Sequence, residues 1–387
     1  MRIALITCLV FIYLEFLRGN YKGGCDHLNG GLKLLESLEY ELKSRRNWAR
    51  VSSASAPLRN GQRGIESFLI EAFSRLRVQT TFCNRRCETG SVNISRLSSD
   101  LPVNKFGSYN EARHYLDRIF DGVTHLTEMM RNGTHTTWPM DYWEMVKADN
   151  LLMQGALDSW LWSYNATMKD GFVLGKAEDA TLYEILRVYH TMAEIMAGTC
   201  LSTDQLVFDK YESKFHEIVI RSKEITLERN PSVDPAEGND SCPDPCRRAW
   251  PDVGWIPPLY YTALKCRLRD VRCQAVELMS LFRHSEIIWD LNMLEMASLV
   301  ATEVIRMEES NKFPVKDHQG YEEPRIRAPE AYRIPSLPRE RRFDTVEMVR
   351  AGHVPECIQM VCKRSVDRRT ETTRKFYNRE IEMWVEI

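Results

Sequence analysis

The chain has 387 residues, of which 43% are hydrophobic, 10% aromatic and 27% charged. These values are typical of soluble globular proteins, and they exclude disorder as the main state. The 52 lysines and arginines nearly balance the 54 acidic residues, so the formal net charge of -2 does not fit a dedicated nucleic-acid binder. The length allows one large domain or two ordinary ones.

The N-terminal segment permits two interpretations. A basic residue, Arg2, precedes an apolar run over residues 3–14, as in the n- and h-regions of a secretory signal. Glu15 interrupts this pattern, however, and no small-x-small cleavage site follows. The second interpretation is a helix that is buried on all sides and turns at Gly19 and Asn20 into another helix, forming an αα-hairpin. We favour the hairpin, in which the apolar run belongs to the core.

Most of the remaining chain has the three- and four-residue apolar spacing of amphipathic helices. Strand-like alternation is almost missing before about residue 340. We therefore expect an all-α fold of stacked antiparallel helix pairs, similar to a helical repeat, with a small β-hairpin at the C-terminus. The segments with helical spacing are 21–42, 65–76, 112–130, 138–164, 182–196, 208–218, 271–282 and 288–307.

Polar and proline-rich segments predict the connections between these helices. The segment 230–258 contains seven prolines and reads as a long surface loop that carries a binding function or crosses the surface. The other predicted connections are 44–63, 80–108 and 314–338.

The C-terminal part differs in character from the helical body. Short apolar runs predict short strands at 346–349, 358–361 and 380–385. Two segments, 325–342 and 363–379, are strongly basic. Such segments are more often solvated surface than nucleic-acid sites, and we interpret them in that way.

Known sequence motifs for catalysis and metal binding offer little support for either function. The sequence contains no Gly-rich phosphate loop, G-x-S-x-G, H-E-x-x-H, EF-hand or kinase motif, so we expect no enzymatic activity. Glycines 23–24 and 30–31 lie within a helical segment, where small residues allow close helix approach. One helical face carries four candidate metal ligands, for which a simple exposed face is the favoured interpretation. These four residues are His114, Asp117, Asp121 and His125.

The cysteines and glycosylation sequons are also ambiguous. The sequence has eleven cysteines, and this odd number argues against a disulfide scaffold. No C-x2-C pair, the spacing most typical of zinc sites, occurs in it. The nearest approach to a metal site is the pair Cys242 and Cys246 in the proline-rich loop. The sequence has four Asn-x-Ser/Thr sequons, and chance explains most of them. If they were glycosylated, they would indicate an exported protein. They begin at Asn93, Asn132, Asn165 and Asn239.

One stretch resembles a known family. Residues 252–278 read D-V-G-W-I-P-P-L-Y-Y-T-A-L-K-C-R-L-R-D-V-R-C-Q-A-V-E-L, and E-I-I-W-D follows at 286–290. This stretch is similar to the fungal-specific regulatory region of zinc-cluster (Zn₂Cys₆) transcription factors, which carries G-x-I-P-P-L-Y-x-T-A-x-K-C-R and later R-E-G-x-W-D. Shorter similarities begin at Gly19, Ile65 and Asn110, so the resemblance covers roughly residues 1–310.

The resemblance implies a transcriptional regulator that acts in the nucleus through protein partners of the transcription machinery or a small effector. It divides the chain into a helical regulatory region, 1–310, and a proline-rich and basic extension, 311–387. The family's motif residues here serve as structural or effector contacts. For the segment after Pro257 and Pro258, the favoured interpretation is that the aromatic residues belong to the core and that Lys265 and Arg267 form its solvated rim. The competing hypothesis is that Lys265 and Arg267 flank an effector or an intramolecular contact. The motif residues are Pro257, Pro258, Leu259, Tyr260, Lys265, Cys266, Arg267, Glu286 and Trp289.

The departures from the family pattern limit what the resemblance implies. The six-cysteine cluster that binds zinc and places a helix in the DNA major groove does not occur in this sequence. We therefore expect no cofactor in this chain, and DNA contact only through a domain that the chain lacks. We expect no membrane contact. A second copy of the chain is a further candidate partner, which would give a homodimer. The alternatives are a scaffold-type homologue, a secreted helical glycoprotein whose apolar N-terminal run is a signal peptide, and a metal-assisted enzyme.

Overall fold

The computed structural model divides the chain into two compact units. Unit 1 comprises Met1–Leu201, Cys242–Gly254 and His284–Asp290, and unit 2 comprises Ser202–Ser241, Trp255–Arg283 and Leu291–Ile387. The structure describes residues 2–52, 65–82, 104–131, 137–170, 177–229, 254–281, 289, 291–310, 337–350, 357–366 and 369–386. Within these residues a helical body is followed by a small antiparallel sheet, which confirms the predicted fold class.

Unit 1 is helical throughout its described part. Its helices pack in neighbouring pairs, above all α1 with α2, α3 with α4, and α4 with α5 and α6. Their bounds are α1 Arg2–Leu17, α2 Tyr21–Ser52, α3 Ile65–Phe82, α4 Tyr109–Arg131, α5 Met140–Asp170 and α6 Ala177–Thr199. Helix α2 therefore continues through the first part of the predicted connection 44–63, and that prediction is wrong for residues 44–52.

The first two helices form the predicted αα-hairpin. Gly19 adopts a φ of 70°, a left-handed conformation that glycine reaches at little cost, and this ends α1. Asn20 then begins the next turn, since its side-chain Oδ1 accepts a hydrogen bond from the amide of Gly23 at 3.1 Å. Only one face of α1 is buried in the described structure, through Leu5, Leu9, Ile12 and Phe16. The prediction that this helix is buried on all sides is therefore wrong, because apolar residues such as Val10 and Leu17 are exposed.

The glycines of α2 allow the close approach that the sequence predicted. A Cβ at Gly24 would lie 2.6 Å from the ring of Phe16, and a Cβ at Gly31 would overlap the ring of Phe73 on α3. The prediction is thus confirmed at both positions. Gly30 differs, because a Cβ there would meet nothing within 4 Å.

Unit 2 combines four α-helices with the C-terminal sheet in its described part. The prolines 257 and 258 lie in the first turn of α8, where a missing amide donor costs little. The sequence did not predict α8 as a separate helix. The elements are a 3-10 helix Gln205–Tyr211, α7 Glu212–Arg229, α8 Ile256–Lys265, α9 Arg269–Leu281, α10 Leu291–Glu309, a 3-10 turn Arg339–Arg341, β1 Thr345–Arg350, β2 Cys357–Val366, β3 Arg369–Asn378 and β4 Met383–Glu386.

The sheet is a four-stranded antiparallel meander in the order β1-β2-β3-β4, larger than the predicted hairpin. Its register pairs Met348 with Met360, and Met360 with Lys375. Strand β3 lies inside the basic segment 363–379, where polar residues conceal the alternation that usually indicates a strand. Lys375 is buried on the inner face beside Met360, and Arg364 is buried as well. Arg342, in the other basic segment, 325–342, is also buried. The interpretation of the two segments as solvated surface is therefore wrong at these three residues.

None of the helices in the described part of the chain has an apolar stretch of the length that a membrane span requires.

Candidate functional site

The family-motif residues fall at the start and the end of α8. Pro257, Pro258, Leu259 and Tyr260 are buried in its first turns. Lys265 ends the helix, and Cys266 and Arg267 form the corner that leads to α9. Trp289 is fully buried, whereas Glu286 lies outside the described residues.

The corner between α8 and α9 has a simple local cause. Cys266 adopts an extended conformation with ψ of 149°, while its amide still donates to the carbonyl of Thr262. The chain therefore leaves the helix directly after Lys265. Charged side chains on both sides of a buried cysteine are thereby brought to one place.

Glu308, near the end of α10, is the centre of a buried group of charges. Its carboxylate lies 2.7 Å from Nη1 of Arg272 and 3.5 Å from Nη1 of Arg267. It also accepts a hydrogen bond of 2.9 Å from the backbone amide of Phe343. Only 1% of the Glu308 residue is exposed, so these bonds act in a medium of low dielectric constant.

Gln205 connects this centre to its surroundings. Its side-chain Oε1 accepts hydrogen bonds from Nη2 of Arg267 at 3.1 Å and from Nζ of Lys265 at 3.5 Å. Both cations also lie over the ring of Phe208, at 5.3 Å for Lys265 and 5.7 Å for Arg267. The ring and the amide thus hold two cations close together.

Arg342 inserts into the same region from the segment before β1. Its guanidinium forms a bidentate ion pair with Asp209, with nitrogen–oxygen distances of 2.7 and 2.9 Å. It also donates to the backbone carbonyls of Gln205 and Leu337. We call the residues Gln205, Asp209, Lys265, Arg267, Arg272, Glu308 and Arg342 the Glu308 cluster, and residues 337–344 the strap.

The strap is bound by this cluster at its C-terminal end, residues 342–344. Lys265 donates to the carbonyl of Asp344 at 2.8 Å, and the amide of the preceding Phe343 is bonded to Glu308. Arg342 and Phe343 are each 2% exposed. The Lys265–Arg267 pair therefore makes an intramolecular contact, which was one of the two roles expected for it.

Burial of the cluster is electrostatically costly. Burial lowers the pKa of Arg267 to about 10, although Glu308 acts in the opposite direction, and Arg272 and Arg342 add to the lowering. Neither Nε of Arg267 nor Nη2 of Arg272 finds a hydrogen-bond partner among the described residues. The expectation that Lys and Arg in this motif are a solvated rim is therefore wrong for Arg267, which is 4% exposed.

The cluster holds segments together and offers no activated nucleophile. Burial raises the pKa of the Cys266 thiol to about 11, so the thiolate required for attack is strongly disfavoured. The same holds elsewhere, because burial raises the pKa of Cys200 to about 12. Four described free thiols are buried, at Cys25, Cys200, Cys266 and Cys362.

A second buried pair joins α10 to the sheet. Nζ of Lys375 lies 2.8 Å from the carboxylate of Glu303, which also accepts two bonds of 2.7 Å from Arg306. Burial raises the pKa of Glu303, but the hydrogen bonds from Arg306 and Lys375 outweigh it and lower the pKa overall. Two neighbouring turns of α10 thus bind both the strap and the sheet.

In unit 1, the four-residue stripe on α4 does not form the exposed face that the sequence favoured. Asp121 is buried and is hydrogen-bonded to Nε of Arg77 at 2.9 Å and to Ser74 at 3.1 Å. Asp117 lies between Arg75 and Arg113. The carboxylates that a metal ion would need are thus paired with arginines. Within the described part of the chain, no group of three candidate metal ligands lies close together. Cys242 and Cys246 lie outside it.

The sequence predicted Lys265, Cys266 and Arg267 but missed Glu308, Asp209 and Arg342. A signal existed for Glu308, which follows Val304 by four residues on the apolar stripe of α10. A charged residue at a core position requires a buried partner. Asp209 and Arg342 are 133 residues apart, and no local pattern indicates such a pair.

Comparisons with protein-family models, with curated proteins and with solved structures find no match to this chain. The resemblance to fungal zinc-cluster regulators accordingly stays a prediction from the sequence motifs.

Proposed function

We propose that this chain is the regulatory and protein-interaction region of a transcriptional regulator similar to the fungal zinc-cluster family. It acts in the nucleus on partner proteins of the transcription machinery or in response to a small effector. DNA contact is supplied by a domain that this chain does not contain, and a second copy of the chain is one candidate partner.

The observation that carries this proposal is the position of the motif residues. The K-C-R part of the motif forms the corner of α8 and α9, and its two cations bind the strap and α10. A motif in this position joins two helices to the strap, and this supports a structural role for it within the proposed regulatory region. The buried, high-pKa thiol of Cys266 supports an organising role over a catalytic one.

A tethering experiment tests the proposal. The full chain is fused to an unrelated DNA-binding domain and directed to a reporter gene of intermediate basal activity in a fungal cell. We expect the fusion to be nuclear and to change reporter transcription in one direction. Glu308→Gln removes the central carboxylate and abolishes the change, whereas Glu309→Gln, at the half-buried neighbour of Glu308, preserves it.

Two results would contradict the proposal. One is a folded, nuclear wild-type fusion that leaves the reporter unchanged. The other is recovery of the chain outside the cell, cleaved after the apolar N-terminal run and glycosylated. Of the four sequons, Asn165 is the one the structure describes, and it lies within α5 with its Thr167 fully buried and bonded to the amide of Phe106. That local structure gives no support to the secreted alternative.

A further inference from the structure

An exposed serine contacts the strap from the sheet. Ser365 lies near the end of β2, and its hydroxyl donates a hydrogen bond of 2.7 Å to the carboxylate of Asp344. Four basic residues lie near it in the sequence, Lys363 and Arg364 before it and Arg368 and Arg369 after it, together with one acidic residue, Asp367. An exposed hydroxyl in a basic segment is a suitable substrate for a protein kinase whose groove is acidic.

Asp344 connects this serine to the Glu308 cluster. Its backbone amide donates to the carbonyl of Lys363 at 2.8 Å, and its backbone carbonyl accepts from Lys265 at 2.8 Å. The preceding residue, Phe343, donates its amide to Glu308. A displacement of the Asp344 carboxylate therefore acts on the two strap residues that the buried charges hold.

We propose that Ser365 is a phosphorylation site for a kinase that selects basic segments, and that its phosphorylation loosens the strap. In the reaction the serine hydroxyl oxygen attacks the γ-phosphorus of ATP, the bond from phosphorus to the β-γ bridging oxygen breaks, and ADP leaves. The hydroxyl proton passes to the base of the kinase. The inference does not depend on the chain's acting in transcription.

The physical effect follows from charge and from the loss of a donor. Phosphoserine carries a charge of about -1.5 to -2 near neutral pH. The ester oxygen has no proton to donate to Asp344, and the phosphate repels that carboxylate at short range. In the unmodified chain, Nζ of Lys363 lies 3.6 Å from the carboxylate of Glu347. The phosphate is attracted to Lys363, a cation two residues earlier on the same strand, and away from Asp344. The Asp344 side chain thereby loses its bond to the sheet.

The first experiment tests the modification itself. The folded full chain is incubated with ATP and a kinase that prefers Arg and Lys upstream of serine, and the phosphorylated residues are mapped by mass spectrometry. We expect phosphate on Ser365, and we expect its loss in Ser365→Ala. Phosphate on other residues alone, or on none, overturns the proposal.

The second experiment tests the effect on the strap by hydrogen exchange of residues 337–344. We expect exchange to rise about tenfold or more in the phosphorylated chain and in Ser365→Glu. Ser280→Glu is the matched control, because Ser280 is an exposed serine on α9 that bonds to its own helix. It adds similar charge and is expected to leave the strap unchanged. An unchanged strap in the phosphorylated chain contradicts the proposal.

A double variant separates repulsion from general damage. Asp344→Asn removes the carboxylate that the new charge repels, so Ser365→Glu combined with Asp344→Asn is expected to exchange nearly as slowly as Asp344→Asn alone. If the double variant exchanges as fast as Ser365→Glu, repulsion from Asp344 is not the cause and the mechanism fails.

Discussion

Units 1 and 2 bury their charges in different ways. In unit 1 the buried carboxylates of α4 are bonded by arginines of the adjoining helix α3, as in the pair of Asp121 with Arg77. In unit 2 the Glu308 cluster joins two helices, a corner and a strap, and Arg342 reaches a partner 133 residues earlier. A charge bonded within a helix pair fixes one interface, whereas a charge at a junction of segments fixes several.

The largest effect is expected from the junction. Glu308→Gln leaves Arg267 and Arg272 buried without a counter-ion, and removing one partner of such a group costs about 3 to 5 kcal/mol. Urea unfolding followed by fluorescence measures the loss, and hydrogen exchange assigns it to unit 2.

The neighbouring residue is the control for this prediction. Glu309 pairs with Arg269 at the surface, where Arg269 is 63% exposed, and Glu309→Gln is expected to cost less than about 1 kcal/mol. Equal losses for the two variants would show that the cluster is not a special junction.

An intermediate effect is expected from helix packing in unit 1. In Gly31→Ala the added methyl overlaps the buried ring of Phe73, and such overpacking costs roughly 1 to 3 kcal/mol. At Gly30 the same change meets open space and raises helix propensity, so Gly30→Ala is expected to stabilise by about 0.5 to 1 kcal/mol. Urea unfolding of both variants measures the difference, and the same sign for both would contradict the packing argument.

The smallest effect concerns pH and His125, on the α4 stripe. Burial lowers the pKa of His125, and the charge of Arg77 lowers it further against the opposing effects of Asp149 and Asp121. The unfolded chain then binds a proton more readily, so stability present above about pH 6.5 is lost as the pH falls through the folded pKa. We expect His125→Gln to reduce the loss of stability between about pH 7.5 and pH 5.5. An unchanged pH dependence in urea unfolding would exclude His125 as the cause.

The same difference explains what could be predicted from the sequence. Helices of unit 1 follow from three- and four-residue spacing, and the αα-hairpin follows from Gly19 and Asn20, because the determinants are local. The bonding of Asp121 within the bundle could not be predicted, since its apolar neighbours do not reveal which face meets the next helix. Strand β3 was missed because Arg374 and Lys375 conceal its alternation.

For the Glu308 cluster, the sequence predicted two of its seven residues. The motif gave Lys265 and Arg267, but the segments that bind them are separated from the motif by long connections. Such pairings depend on tertiary packing, which no periodicity records. A charged residue on an apolar stripe, as at Glu308, is the sequence feature that indicates such a junction.

The buried thiols allow local opening to be measured separately in each unit. Cys25 and Cys200 are enclosed in unit 1, and Cys266 and Cys362 are enclosed in unit 2, so an alkylating reagent reaches each only when its surroundings open. A brief pulse of reagent, followed by peptide mapping, would therefore show which unit opens more often, and no engineered label is needed.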